Sequence, residues 1–183
     1  SALYLKLGDW RRCHEEIDLA FGADSLNLAA EFAAAAMRYF TRHYRLAIDR
    51  FNAIARTNPT FWVIHEMLGE SYARLGQKEL ALQHSALALK QSKHRPHSAV
   101  YAAATAAIAG DKARAEEFAT EAERQFRSAR YFQPVHLARV YAELRDPSRA
   151  FGFLEDALEM RDTGFPVITV HHSFDSLRDD PRY

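Results

Sequence analysis

Apolar residues recur along this chain at fixed offsets from a small residue that itself returns every 34 or 35 positions. The small residue is Cys13, Ala47, Ala81, Ala115 and Ala150. Four residues later stand Ile17, Phe51, Ser85, Ala119 and Leu154; seven later stand Ala20, Ile54, Ala88, Ala122 and Ala157. Offsets of four and seven place side chains on one face of a helix. Extended to the stretches between these, the pattern predicts helices near 9–21, 26–43, 44–57, 60–75, 77–91, 96–109, 111–128, 131–145 and 147–161.

Turn chemistry falls in the same register. Gly8-Asp9, Gly76-Gln77, Gly110-Asp111 and Arg145-Asp146-Pro147 each precede a predicted helix by about one turn. Glycine ends a helix because it takes the left-handed conformation without a Cβ clash. Aspartate caps the next helix by accepting from its free N–H groups, and Pro147 suits a first helical turn. The expected fold is therefore all-α, built of antiparallel helix pairs. Where paired helices cross closely, only a small side chain keeps the backbones together, which gives the recurring Gly and Ala their mechanical role. The stretch around Ala106, with Ala102 and Ala103, predicts unusually close packing.

The two ends differ. Residues 1–8 read as the second half of a helix, so the chain reads as part of a longer protein. After Arg161 the pattern stops. Gly164-Phe165-Pro166 breaks it, Val167 to Val170 is a short β-branched stretch, and residues 173–178 suit one or two helical turns. A stack of repeats exposes its last apolar face unless something covers it. Phe165, Val167, Ile168, Phe174 and Leu177 are the expected cover.

Composition narrows the function. The 183 residues carry 24 basic and 24 acidic side chains, for a formal net charge of zero. Nucleic-acid binding draws on a basic excess or stripe, and neither is evident, so no nucleic-acid partner is expected. No apolar run reaches the ~20 residues that cross a bilayer, and no signal peptide is visible. With one cysteine and no internal disulfide, a cytoplasmic setting is the expectation.

Catalytic chemistry finds little support. His171-His172 and His94/His97 lack a carboxylate or cysteine at ligand spacing and read as surface histidines. Glu15-Glu16 and Glu116-Glu117 point in different directions on a helix and read as solvated faces. Cys13 sits at the small buried position of its repeat. No nucleophile elbow and no Gly-rich phosphate loop occurs. No enzyme activity, metal or cofactor is expected.

Some residues carry a resemblance. Leu68, Gly69, Tyr72, Gly76 and Ala81, after Asn58-Pro59, follow the pattern of the tetratricopeptide repeat, whose period is 34 residues. Tyr4, Gly8 and Ala20 follow it near the start, as do Leu137, Ala138, Tyr141, Ala150 and Ala157 near the end. Arg38, where the pattern has tyrosine, makes the repeat around Met37 degenerate. The closing Phe174-Asp175-x-Leu177-Arg178-Asp179-Asp180-Pro181-Arg182-Tyr183 resembles the C-terminal tetratricopeptide region of multidomain bacterial signalling proteins. In those, such stacks follow winged-helix regulators, nucleotide cyclases or Ser/Thr kinases.

The resemblance implies a right-handed α-solenoid of four to five repeats: a partial one in 1–25, then 28–61, 62–95, 96–130 and 131–161, capped by 162–183. It implies a protein- or peptide-binding scaffold for signalling or transcription regulation. It places Phe32, Tyr39, Phe40, Glu66, Glu70, Arg74, His97, Phe132, Arg139 and Glu143 on a concave binding face. Phe32, Tyr39 and Phe40 also read as core between repeats, and Glu66, Glu70 and Arg74, four apart, suit pairing among themselves. Charge reversal at Glu70 or Arg74 is expected to alter partner binding with the fold kept. A small-ligand sensor with an apolar pocket, and self-association through the Ala-rich repeat, are the alternatives.

Overall fold

The structure, a computed structural model, describes Arg12, Glu15 and residues 28–128, 133–164 and 168–183. The described residues are helical, with no strand among them. They form α1 (Leu28–Phe40), α2 (Tyr44–Thr57), α3 (Trp62–Arg74), α4 (Lys78–Gln91), α5 (Pro96–Ile108), α6 (Lys112–Ser128), α7 (Pro134–Glu143) and α8 (Pro147–Glu159). A 3-10 helix, η1, follows at His172–Leu177. Of the expected helix 9–21 only Arg12 and Glu15, both helical, are described, and Cys13, Phe132, Phe165 and Val167 lie outside the described residues.

Each pair is closed by three residues, a length that forces its helices antiparallel. The turns repeat one hydrogen-bond pattern. His43 N donates to Arg38 O, Gln77 N to Tyr72 O, Asp111 N to Ala106 O and Asp146 N to Tyr141 O, all at 2.8–2.9 Å. This cap needs a left-handed residue, and Arg42, Gly76, Gly110 and Arg145 take it, at φ 64°, 73°, 78° and 62°. Two of the four positions thus hold arginine where glycine costs nothing. Asp146 accepts from Arg149 N at 3.0 Å, and Asp111 from Arg114 N at 3.3 Å. Pro96, Pro134 and Pro147 each begin a helix.

Successive helices pack in pairs, and the first helices of the pairs also pack on one another: α1 on α3, α3 on α5, α5 on α7. That is the arrangement of a helical-repeat solenoid, with α1, α3, α5 and α7 as an inner row. Ala47, Ala81, Ala115 and Ala150 are all fully buried. At Gly69 a Cβ would come within 3.2 Å of Ala81 O and 3.4 Å of Thr105 Oγ1, so α3 lies tight against both α4 and α5. In α5 the alanines 102, 103, 104 and 106 are buried, which draws the inner row together. No helix of the described residues is long and apolar enough to cross a membrane.

Candidate functional site

The inner row carries charge into the interior. Positions 70 and 139 occupy the same place in repeats two apart, as do 74 and 143. The residues of α5 in that register are Ala104 and Ile108, which are uncharged and, at 104, short. The row is close enough for long side chains of α3 and α7 to meet past them. Glu70 Oε1 lies 2.9 Å from Arg139 Nη2, with side-chain exposures of 0% and 4%. That contact is close but not aligned as a hydrogen bond; Arg139 Nη1 reaches Glu70 Oε2 at 3.5 Å. One repeat earlier on the chain, Tyr39 of α1 donates to Glu70 Oε2 at 2.6 Å. Beside them Arg74 pairs with Glu143.

A second acid sits one turn before. Glu66, 1% exposed, accepts from Ser98 Oγ at 2.5 Å and lies 3.6 Å from His97 Nδ1. The Arg139 guanidinium stacks 4.4 Å above the Tyr101 ring. Charge sealed among apolar groups is tolerated only when paired and hydrogen-bonded, so each member of this cluster depends on the others. Burial and the nearby Glu70 carboxylate push the Tyr39 hydroxyl well above its ordinary range, which keeps it a donor.

The inner face is already filled by polypeptide. Residues 168–177 run from α7 to the first pair, with η1 packed on α7. His171 Nε2 is 3.1 Å from Arg139 Nη1, Ser173 Oγ accepts from Arg74 Nη2 at 3.1 Å, and Asp175 Oδ2 accepts from Arg42 Nη2 at 2.5 Å. The His172 ring stands edge-on to Tyr39 at 4.6 Å and faces Tyr44, whose hydroxyl lies 3.3 Å from Nδ1. Phe174, Leu177 and Ile168 join the apolar core. The closing motif fastens this segment. Tyr183 donates its hydroxyl to Ile168 O, Arg182 lies 4.1 Å over the Phe151 ring, and Arg178 pairs with Asp175 at 3.1 Å.

His171 and His172 are therefore not surface histidines. They are 3% and 5% exposed, because the segment bearing them is laid into the inner face rather than left in solvent. Burial, with the cations Arg74, Arg42 and Arg139 close by, pushes His172 down to about 2. Burial and Arg139 also hold His171 well below its usual value. His136, by burial and then Arg139 and His97, falls to about 3. A cavity of about 60 Å³ lies beneath His171, lined by Tyr39, Met67, Tyr101, His136 and Arg139 among others. At ~10–15 Å³ per water this is space for about four to six waters, too little for a metabolite.

Of the residues anticipated for the concave face, Tyr39, Glu70, Arg74, Arg139 and Glu143 come together in one cluster, with Glu66 and His97 beside it. Phe40 packs on Tyr39 and on His171, with centroids at 5.4 and 5.5 Å. Phe32 instead packs on Phe51 and Phe61, at 5.7 and 5.9 Å, within the apolar core of the first repeats. Glu66, Glu70 and Arg74 form no ion pair with one another; Glu66 reaches α5, while Glu70 and Arg74 both reach α7. Glu70 is wholly enclosed, so reversing its charge would be a change to the fold, not the selective binding change anticipated from sequence. Ser98, Tyr101, His171 and Ser173 were not anticipated. Among the described residues no group of three or more His, Cys, Asp or Glu is placed to hold a metal ion. No protein-family model matches the chain, and no curated protein matches it.

Proposed function

We propose that this chain is a non-catalytic interaction module of the tetratricopeptide type. It serves as the regulatory scaffold of a bacterial signalling or transcription-regulatory protein and binds a peptide or protein segment on its inner, concave face. One observation carries this reading: the inner face already receives a stretch of polypeptide, residues 168–177, through side-chain-specific contacts to Arg42, Arg74 and Arg139. A surface that fits one peptide through aromatic and arginine contacts has the features that dominate interface energetics.

The test is site-specific photo-crosslinking in cells of the source organism. A crosslinking amino acid is placed at His97, half-exposed at the edge of the inner face, or at the exposed Lys112 on the outer row. A defined adduct from position 97 and none from 112 is the expected result. Adducts from 112 alone, or from both positions equally, would remove the inner face as the binding surface.

A further inference from the structure

We propose that residues 168–177 are a built-in competitor for the inner face, held there until a partner segment of the same chemistry displaces them. This rests on the concave-face reading above and adds what the partner must look like and how access to it is controlled.

The contacts define a rule. Three arginines, from the turn after α1, from α3 and from α7, meet three acceptors at alternate residues of one segment: Asp175, Ser173 and His171. The acceptors differ by environment. Arg42 is 58% exposed and meets a carboxylate. Arg74 already has Glu143 and meets a neutral hydroxyl. Arg139 already has Glu70 and meets a neutral ring nitrogen. The fitting partner is thus a peptide with an uncharged acceptor, a hydroxyl and an acid at positions i, i+2 and i+4, with an aromatic residue just before the acid. A second buried carboxylate beside Glu70 would be repelled.

The segment also fits imperfectly at its most buried point. His171 Nδ1 faces the Ser173 N–H at 3.1 Å, while Nε2 faces the Arg139 guanidinium at 3.1 Å. A neutral imidazole has one acceptor nitrogen and one N–H, so one of these contacts sets donor against donor. Protonation relieves neither. Arg139 Nε and His172 Nε2, both buried, have no hydrogen-bond partner among the described residues. An amide oxygen at position 171, with two lone pairs and no proton, would serve Arg139 better than the native ring. The occupant is well enough held to fill the face and poorly enough matched to be replaced.

The experiment uses a fluorescent peptide of sequence 168–179 and the full chain, read by anisotropy. In His171→Ala/Ser173→Ala/Asp175→Ala the three acceptors are gone while Ile168, Phe174 and Leu177 remain to fill the core. A typical hydrogen bond is worth about a fivefold change in an equilibrium, so three weaken self-occupancy about 100-fold. Apparent affinity scales with the fraction of molecules whose face is open. The triple variant is expected to bind the peptide at least ~10-fold more tightly than the native chain, and a peptide with Asp175→Arg to lose that binding. Equal binding to both chains, or to neither, overturns the proposal.

Hydrogen exchange of the native chain guards against a variant that fails to fold. Amides of 168–177 should exchange in a unit separate from, and faster than, those of α3 and α5; exchange only with global unfolding overturns the proposal. No external partner enters either measurement. Failure of the crosslinking above with success here removes the partner reading alone, and the reverse removes the competitor.

Discussion

Arg139 is the residue whose replacement tests the buried cluster most sharply. Arg139→Met keeps much of the aliphatic bulk and deletes the charge. Glu70, with no exposure, then keeps the Tyr39 hydroxyl as its direct contact. Breaking a buried pair from one side costs about 3–5 kcal/mol, because a charge remains without compensation. Arg74 is close enough to act on the same site, which favours the lower end. Replacing both charges should restore most of the loss, since a buried pair and a packed apolar pair are often near-equal in stability. Glu70→Met/Arg139→Met strands the Tyr39 hydroxyl, worth about 1–2 kcal/mol, so Tyr39→Phe completes the set. The triple variant should lie within about 1 kcal/mol of the native chain, and Arg139→Met well below both. Urea unfolding followed by circular dichroism at pH 7.5 reads these differences. A loss below about 1 kcal/mol for Arg139→Met, or a triple variant no more stable than Arg139→Met, refutes the account of the cluster as mutually dependent.

Other expectations follow from single features. Arg145→Gly, relieving a left-handed arginine at a helix cap, should stabilise by about 1 kcal/mol, and Gly76→Ala should destabilise by about as much, both read by thermal melts. Gly69→Leu, forced against the backbone of α4, should cost about 1–3 kcal/mol and separate α3 from α4; a neutral result would mean that the crossing is looser than 3.2 Å to Ala81 O implies. Acid should loosen residues 168–177. His171 and His172 are neutral when seated, facing Arg139, Arg74, Arg42, His136, Tyr39, Phe40 and Tyr44, with folded values pushed below the ordinary 6.5. The released segment therefore binds more protons as pH falls beneath 6.5, and seating weakens steadily down to the folded values, about 2 for His172. Exchange protection of 168–177 that is unchanged between pH 7.5 and 5, after correction for intrinsic rates, would contradict this.

The helices were legible because two independent signals coincide. Apolar offsets mark the faces, and Gly, Asp and Pro mark the ends. The expected 44–57 coincides with α2, and 78–91 and 96–108 fall within a residue of expectation. Helix α7 is shorter than the expected 131–145, since Pro134 opens it and the Ala142–Arg145 turn closes it. The site was legible only in part. Periodicity identifies the inner face but carries no information on how tightly the row bends. The meeting of Glu70 with Arg139 depends on that bend, and Ala104 permits it without announcing it. His171 and His172 show no ligand spacing, and their burial follows from the route of the closing segment, which contacts 128 to 133 residues away decide.

Those distant contacts change what sort of object the chain is to fold and to stretch. Stacked repeats ordinarily touch only their neighbours, so they zip and fray one unit at a time from either end. Here Arg42 is latched to Asp175, and Tyr39 to the rings of His171 and His172, which ties the first described pair to the last segment. A spring clasped at both ends loses its freedom to uncoil gradually. Such a clasp should open first and form last, since it cannot close until every coil between is in place, and the coils regain the freedom to fray only once it has opened.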